Sequence, residues 1–251
     1  MTGSLDQAKE ALEVRLRELR QDAGLTGTEL ARRAGWHQTK VSKIEYGKTK
    51  PTDADIRAWC AHTGAEGQIP DLIAMLLESG TEVMRVYHPF LIPGLLQTAE
   101  YAEGVLRSVV EFQQVPDDVD DGVAKRMERQ QVLYRRNHRF HIVIAEQALR
   151  TTVGNDQTMI GQLDRLLAVV GMPRITFGIV PAETPYRVSM TNFAIFDNTR
   201  VMVETVTAEL TITQPREIAQ YGRAFDVLAA QSVTGDGARQ MIRAALESRT
   251  G

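Results

Sequence analysis

The stretch from Leu25 to Gly47 constrains this chain more than any other. Gly35 and Gly47 divide it into two segments, each too short for more than about three helical turns, and glycine readily ends a helix in the left-handed conformation. Thr26 with Glu29 three residues on has the spacing of a capping box. A helix is therefore predicted to start there and to carry Leu30, Ala31 and Ala34. The next helix is predicted over about 37–46, with Val41 and Ile44 turned inward. Upstream, Ala8, Leu12, Leu16, Leu19 and Ala23 form one stripe of a longer helix that stops at Gly24. Downstream, Pro51 and Thr52 lead into a fourth helix with Ile56, Trp59 and Cys60 apolar; Leu72, Ile73, Leu76 and Leu77 mark a fifth, ending near Gly80. Residues 1–80 are thus expected to be a mainly α, five-helix domain containing a helix-turn-helix.

The outer face of the second segment is polar: Gln38, Thr39, Ser42 and Lys43. Such side chains bond base edges in the major groove of DNA, glutamine being suited to adenine. Lys40, Lys48 and Lys50 are expected near phosphates, which attract lysine whatever the base sequence. The net charge of −3 argues against nucleic acid only if it is spread evenly. It is not: from Thr26 to Lys50 the basic residues Arg32, Arg33, Lys40, Lys43, Lys48 and Lys50 face only Glu29 and Glu45. Arg32 and Arg33 themselves read as a solvated helix face.

Residues 81–251 have another rhythm. His88-Pro89-Phe90-Leu91-Ile92-Pro93-Gly94 cannot be continuous helix. Helical patterns fall at about 97–107, 117–136, 156–170, 215–231 and 235–248. Strand-like runs fall at about 140–145, 175–180, 193–196 and 201–206. The expectation is an α+β domain with a small, mostly antiparallel sheet. Within it Gln97, Tyr101, Arg126, Arg129, Glu146, Arg150 and Glu204 lie among apolar neighbours. Two readings stand: internal pairs stitching helices to the sheet, or the lining of a site for a ligand or partner.

No phosphate-cradling glycine loop, zinc-binding histidine pair on a helix or nucleophile-elbow motif occurs, so no catalytic residue, metal or cofactor is expected. His138 and His141 sit beside Arg135, Arg136 and Arg139, a poor setting for a metal. The one cysteine, Cys60, excludes an internal disulfide and reads as packing. There is no apolar run long enough for a membrane span and no secretory leader, so a cytoplasmic protein is expected.

The pattern Thr26-x-x-Glu29-Leu30-Ala31…Gly35…Val41-Ser42-Lys43-Ile44-Glu45-x-Gly47 resembles the phage-repressor and Cro type of helix-turn-helix, also called the xenobiotic-response-element type. The resemblance implies that Gln38, Thr39 and Lys43 read bases, and that Arg20 and Glu45 form an internal ion pair. Gly27 departs from it, standing where the family usually has a glutamine that touches the DNA backbone. Residues 88–102, Arg126-x-x-Arg129-Gln130, Glu146-x-Ala148-Leu149-Arg150 and Val203-Glu204-Thr205 are similar to the second domain of actinobacterial WhiJ-like regulators. That resemblance implies a regulator paired with a small protein encoded beside it, or one sensing a small molecule. Double-stranded DNA is the partner the helix-turn-helix implies, and because one such motif offers little base-edge area a second copy of the chain is expected as well. An enzyme tethered to DNA, or an antitoxin-like protein neutralising a small partner, are the alternatives.

Overall fold

The computed structural model describes residues 3–114, 118–134, 138–188, 191–206 and 208–250. Arg135, Arg136 and the side chain of Ala8 lie outside the described residues. The chain divides into two compact units that part between Thr81 and Glu82.

The first unit holds α1 (Gly3–Asp22), α2 (Gly27–Arg33), α3 (Thr39–Glu45), α4 (Asp53–Thr63) and α5 (Ile69–Gly80). Leu12, Leu16 and Leu19 of α1 pack with Leu30, Val41, Ile44, Ile56, Trp59, Leu72 and Ile73 in one core. Each such side chain contributes about 1.5–3 kcal/mol on burial. The Trp59 indole N–H donates to the Leu16 carbonyl at 3.0 Å, so the largest core residue leaves no polar atom unpaired. Two turns set the angle of α3. After α2, Gly35 takes φ +67° and the amides of Gly35 and Trp36 donate to the carbonyls of Arg32 and Ala31. After α3, Gly47 takes φ +65° and the amides of Gly47 and Lys48 donate to Ile44 and Lys43. Both are Schellman closures, which a β-carbon at the glycine would strain.

The capping box expected at Thr26 is only half made. Thr26 Oγ1 accepts the Glu29 amide at 3.1 Å, but the Glu29 carboxylate turns along the helix to Arg32 and Arg33. Two guanidiniums outcompete one backbone amide for it. The full box lies at the start of α4, where Thr52 and Asp55 exchange both bonds.

The second unit runs β1 (Val83–His88), α6 (Ala99–Gln113), α7 (Val119–Arg129), β2 (Arg139–Ala145), α8 (Gln147–Arg150), α9 (Asp156–Val169), β3 (Ile175–Val180), β4 (Phe193–Phe196), β5 (Arg200–Glu204), β6 (Glu209–Ile212), α10 (Pro215–Gln231), β7 (Val233–Thr234) and α11 (Gly235–Thr250). The expectation of a small sheet is corrected: seven strands form one mixed sheet in the order β6-β5-β4-β1-β2-β3-β7. Its centre, β1-β2-β3, is parallel, and the remaining neighbours pair antiparallel. Parallel neighbours need helical crossovers, supplied by α6 with α7 and by α8 with α9.

Three strands were not foreseen, each for a physical reason. β1 is central and buried on both faces, so Val83-Met84-Arg85-Val86-Tyr87 lacks the alternation of a half-exposed strand. β6 lies at an edge with little burial, and β7 has two residues. The helix predicted to reach 136 stops at Arg129 and continues as a tighter turn over Gln130–Tyr134. On one sheet face Tyr87, Val143, Val180, Phe193, Ile195, Val201 and Val203 pack under Ile218, Phe225 and Leu228 of α10. Ile142, Ile144, Phe177 and Ile179, which alternate with that set, are also buried.

Candidate nucleic-acid interface

Val41, Ile44 and Glu45 turn α3 inward, and this places Thr39, Ser42 and Lys43 outward. Gln38 heads the helix, exposed and with no side-chain cap bond. The cap comes from His37: its Nδ1 accepts the Thr39 amide at 3.3 Å and lies 2.9 Å from Thr39 Oγ1. Ser42 Oγ donates to the Thr39 carbonyl at 3.0 Å. Two small hydroxyls are thereby held against the helix, while Gln38 and Lys43 project beyond them as the long polar side chains of the face.

The three lysines expected near phosphates separate. Lys48 is exposed just after the Gly47 turn. Lys40 already has an internal partner: its ammonium sits 2.6 Å from Asp55 Oδ1 and over the Trp36 ring, 4.7 Å from the centroid. It lies on the flank of α3 that faces α4, one residue before the buried Val41. Burial raises the Asp55 pKa, but the bonds from Lys40 and Thr52 outweigh it and hold the carboxyl below its ordinary value. Lys50 is also occupied, its ammonium lying where a β-carbon on Gly80 would fall, at the end of α5. The last turn of a helix carries partial negative charge, which suits an ammonium there.

The structure brings Arg20 and Glu45 together, Nε to Oε1 at 2.5 Å and Nη2 to Oε2 at 3.0 Å, with Glu45 only 6% exposed. Arg20 Nη1 also donates to the Leu25 carbonyl at 2.7 Å, so one guanidinium ties α1, the turn before α2, and α3. Sequence reasoning missed Arg17, whose Nη2 donates to the Glu45 carbonyl and whose guanidinium stacks on Tyr46, 4.9 Å from the ring centroid. Tyr46 is 67% exposed. Its position three and four residues beyond Lys43 and Ser42 would have put it on the same face. Glu29 is held down to about pKa 2 by its bonds from Arg32 and Arg33, which keep the outer face of α2 ionised at any ordinary pH.

The seven polar residues singled out in the second region are spread over several elements, and most of them are engaged in internal bonds. Gln97 donates to the Ile92 carbonyl at 2.7 Å and accepts from Arg126 at 2.9 Å. The Tyr101 hydroxyl accepts the Ile92 amide at 3.2 Å. Gln130 and Gln162, both missed, complete the set. The first donates to the carbonyls of Gly94 and Gln97, and the second bonds the Thr98 amide and the Leu96 carbonyl. These side chains peg down the 92–98 stretch, whose only regular structure is a short 3-10 turn over Gly94–Leu96, and take up backbone groups which that turn leaves open. Arg129 lies half-buried at the end of α7. Glu146 takes Arg150 at 2.7 Å and the Ala182 amide at 3.0 Å just past the end of β2, and both bonds lower its pKa. Glu204, at the end of β5, accepts from Asn192 at 3.2 Å. β5 and β2 are three strand spacings apart, roughly 14 Å, so these carboxylates do not meet. His88 ends β1, half-buried, with its pKa lowered to about 4 by desolvation and by the charge of Arg126.

Among the described residues no cluster of three His, Cys, Asp or Glu side chains is placed to hold a metal, and no helix is long and apolar enough to cross a membrane. The first unit is a helix-turn-helix domain, the class of module that binds DNA, and residues 11–71 match a helix-turn-helix domain family. Residues 73–244 match a domain of unknown function, DUF5753, and the chain belongs to that family. No curated protein and no solved structure matches it.

Proposed function

We propose that this protein is a sequence-specific transcription regulator that binds DNA as a homodimer and is controlled through its second unit. In this reading α3 enters the major groove. Gln38 and Lys43 make the reaching base contacts, Thr39 and Ser42 make short ones, and Lys48 meets a phosphate. The observation that carries it is the outward row Gln38, Thr39, Ser42 and Lys43 on a helix whose angle is held by two glycine turns and the Arg20–Glu45 pair. A single helix of this length offers few base contacts, and a second copy on an adjoining half-site supplies the rest.

The second unit works by binding rather than by chemistry. Supporting this, Gln97, Tyr101 and Gln130 are committed to holding backbone in place, and Arg126 bonds the Gln97 side chain. Its input is a small protein of the kind that accompanies WhiJ-like regulators, or a small molecule, and the protein acts in the cytoplasm. An input changes DNA affinity only by favouring one conformation or assembly over another.

The test is selection of oligonucleotides from a random pool by the full chain, followed by footprinting on the enriched sequence. Two half-sites related by a dyad, about ten base pairs or one helical turn apart, are the expected result. A pool that enriches no sequence overturns the reading.

A further inference from the structure

Two hydroxyls stand on the outer face of α3, and their hydrogen bonds fix where their protons go. The backbone amide of Thr39 points its hydrogen at His37 Nδ1, 3.3 Å away, so that nitrogen is the unprotonated one of the ring. Thr39 Oγ1 lies 2.9 Å from the same nitrogen. At that distance the hydroxyl must turn its hydrogen toward Nδ1, since otherwise two lone pairs would face each other. Ser42 Oγ donates to the Thr39 carbonyl at 3.0 Å, an oxygen that can only accept. Each hydroxyl carries one hydrogen, and both hydrogens are committed inside the protein. What Thr39 and Ser42 offer outward is therefore lone pairs alone, and both residues are exposed. Lys43 beside them is exposed too and has the opposite character, an ammonium that donates and cannot accept. The face has a set polarity: acceptors at Thr39 and Ser42, a donor at Lys43.

We propose that Thr39 and Ser42 each accept from the exocyclic amino group of an adenine or a cytosine, and that methylation of those amino groups blocks binding. This rests on the DNA-binding reading above and names the base chemistry it recognises. In the major groove the only hydrogen-bond donors are N6 of adenine and N4 of cytosine. A side chain that can only accept has no other base group to bond. Guanine O6 and N7 and thymine O4 would set lone pair against lone pair, and they suit Lys43 instead. Serine and threonine in general bond either kind of group, and the inward bonds remove that freedom here. Of the two amino hydrogens, one pairs with the opposite base and the other points into the groove. A methyl group on the amino nitrogen takes the second place. It removes the donor and sets an apolar group against the hydroxyl oxygen, which is left desolvated and unpaired.

The experiment measures fluorescence anisotropy of the full-length protein on the site it selects from random DNA. N6-methyladenine or N4-methylcytosine is substituted at one position of that site at a time. Two positions per half-site are expected at which a single methyl group weakens binding about ten-fold, the loss of one hydrogen bond with its acceptor left unpaired. Thr39→Val keeps the shape and removes the oxygen, and is expected to abolish the effect at one of them. Ser42→Ala is expected to abolish it at the other. An adenine read by Gln38 also responds to its methyl group, and is told apart because only Gln38→Ala silences it. A selected site on which no methyl effect answers to Thr39→Val or Ser42→Ala overturns the proposal and leaves the DNA-binding reading in place. An effect that answers to one variant alone overturns the assignment of the other hydroxyl. A pool that enriches no sequence overturns the two readings together. Should a variant misfold, the unaltered protein still decides: absence of the ten-fold losses on methylated DNA overturns the proposal.

Discussion

Arg20 and Glu45 meet through two parallel bonds, guanidinium to carboxylate, and so fasten the last turn of α3 to the middle of the first unit. The pair is 13% and 6% exposed, and Arg17 adds a second positive charge beside the same carboxylate. Glu45→Ala strands both guanidiniums and is expected to destabilise this unit by about 3–5 kcal/mol. Trp36 and Trp59, the only two tryptophans, both belong to the first unit, so urea unfolding followed by their fluorescence reads this unit alone. A loss below 1 kcal/mol would show that the pair contributes little.

Gln38→Ala is expected to weaken binding to the selected DNA by about 1–3 kcal/mol and to relax preference at one position per half-site. Binding to random DNA should barely change. Equal losses on both, measured by fluorescence anisotropy, would remove Gln38 from the base-reading set.

The lysines give a contrast within one short stretch. Lys48→Ala should make the slope of log affinity against log salt shallower by about 0.9 per protomer, the contribution of one phosphate contact. Lys40→Ala should leave that slope nearly unchanged and lower the melting temperature of the first unit instead, since it leaves Asp55 without its cation. The reverse pattern would mean that Lys40 leaves Asp55 when DNA binds.

Gly27 opens α2, and a β-carbon there would meet Val41 Cγ1 at 3.4 Å, an ordinary contact. Gly27→Gln is therefore expected to fold, and to gain about 0.5–1 kcal/mol in helix stability. It should also tighten DNA binding about five-fold by one added hydrogen bond to the backbone. Unchanged Kd would show that this end of α2 stands away from the DNA.

Acid should weaken the second unit through His88. Its folded pKa lies near 4, below the ordinary 6.5, so between these values the unfolded chain binds a proton that the folded chain does not. Stability is therefore complete above pH 6.5 and falls as the pH drops toward 4, by about 2–3 kcal/mol. His141, also lowered by burial, adds to the slope, whereas the lowered carboxylate Glu146 acts at more acidic pH. Hydrogen exchange of the β1 amides from pH 7 to 4.5, corrected for intrinsic rates, checks this, and His88→Gln should flatten the dependence. An unaltered slope in that variant would exclude His88 as its source.

Much of the first unit was legible because its cues are local. A helix that ends at Gly35 or Gly47 does so through bonds spanning only a few residues, and the inward placement of Val41 and Ile44 follows from the 3.6-residue period alone. Gln38, Thr39, Ser42 and Lys43 were placed on one face by the same period. Strands at 140–145 and 175–180 announced themselves through runs of β-branched residues. Periodicity places a residue on a face, and it is silent about what stands opposite. Nothing near Lys40 in sequence tells that Asp55 will take its ammonium, and nothing near Gln97 tells that Arg126 and Gln130 will close around it. β1 was hidden because strands on both sides and layers on both faces erase its alternation, and β6 because an edge has little to bury. What the sequence determined by itself was helix ends and inward faces, since those depend on bonds a few residues long. Which charges are already occupied and which strands adjoin were decided by tertiary structure, because each depends on groups brought together only after distant segments have packed.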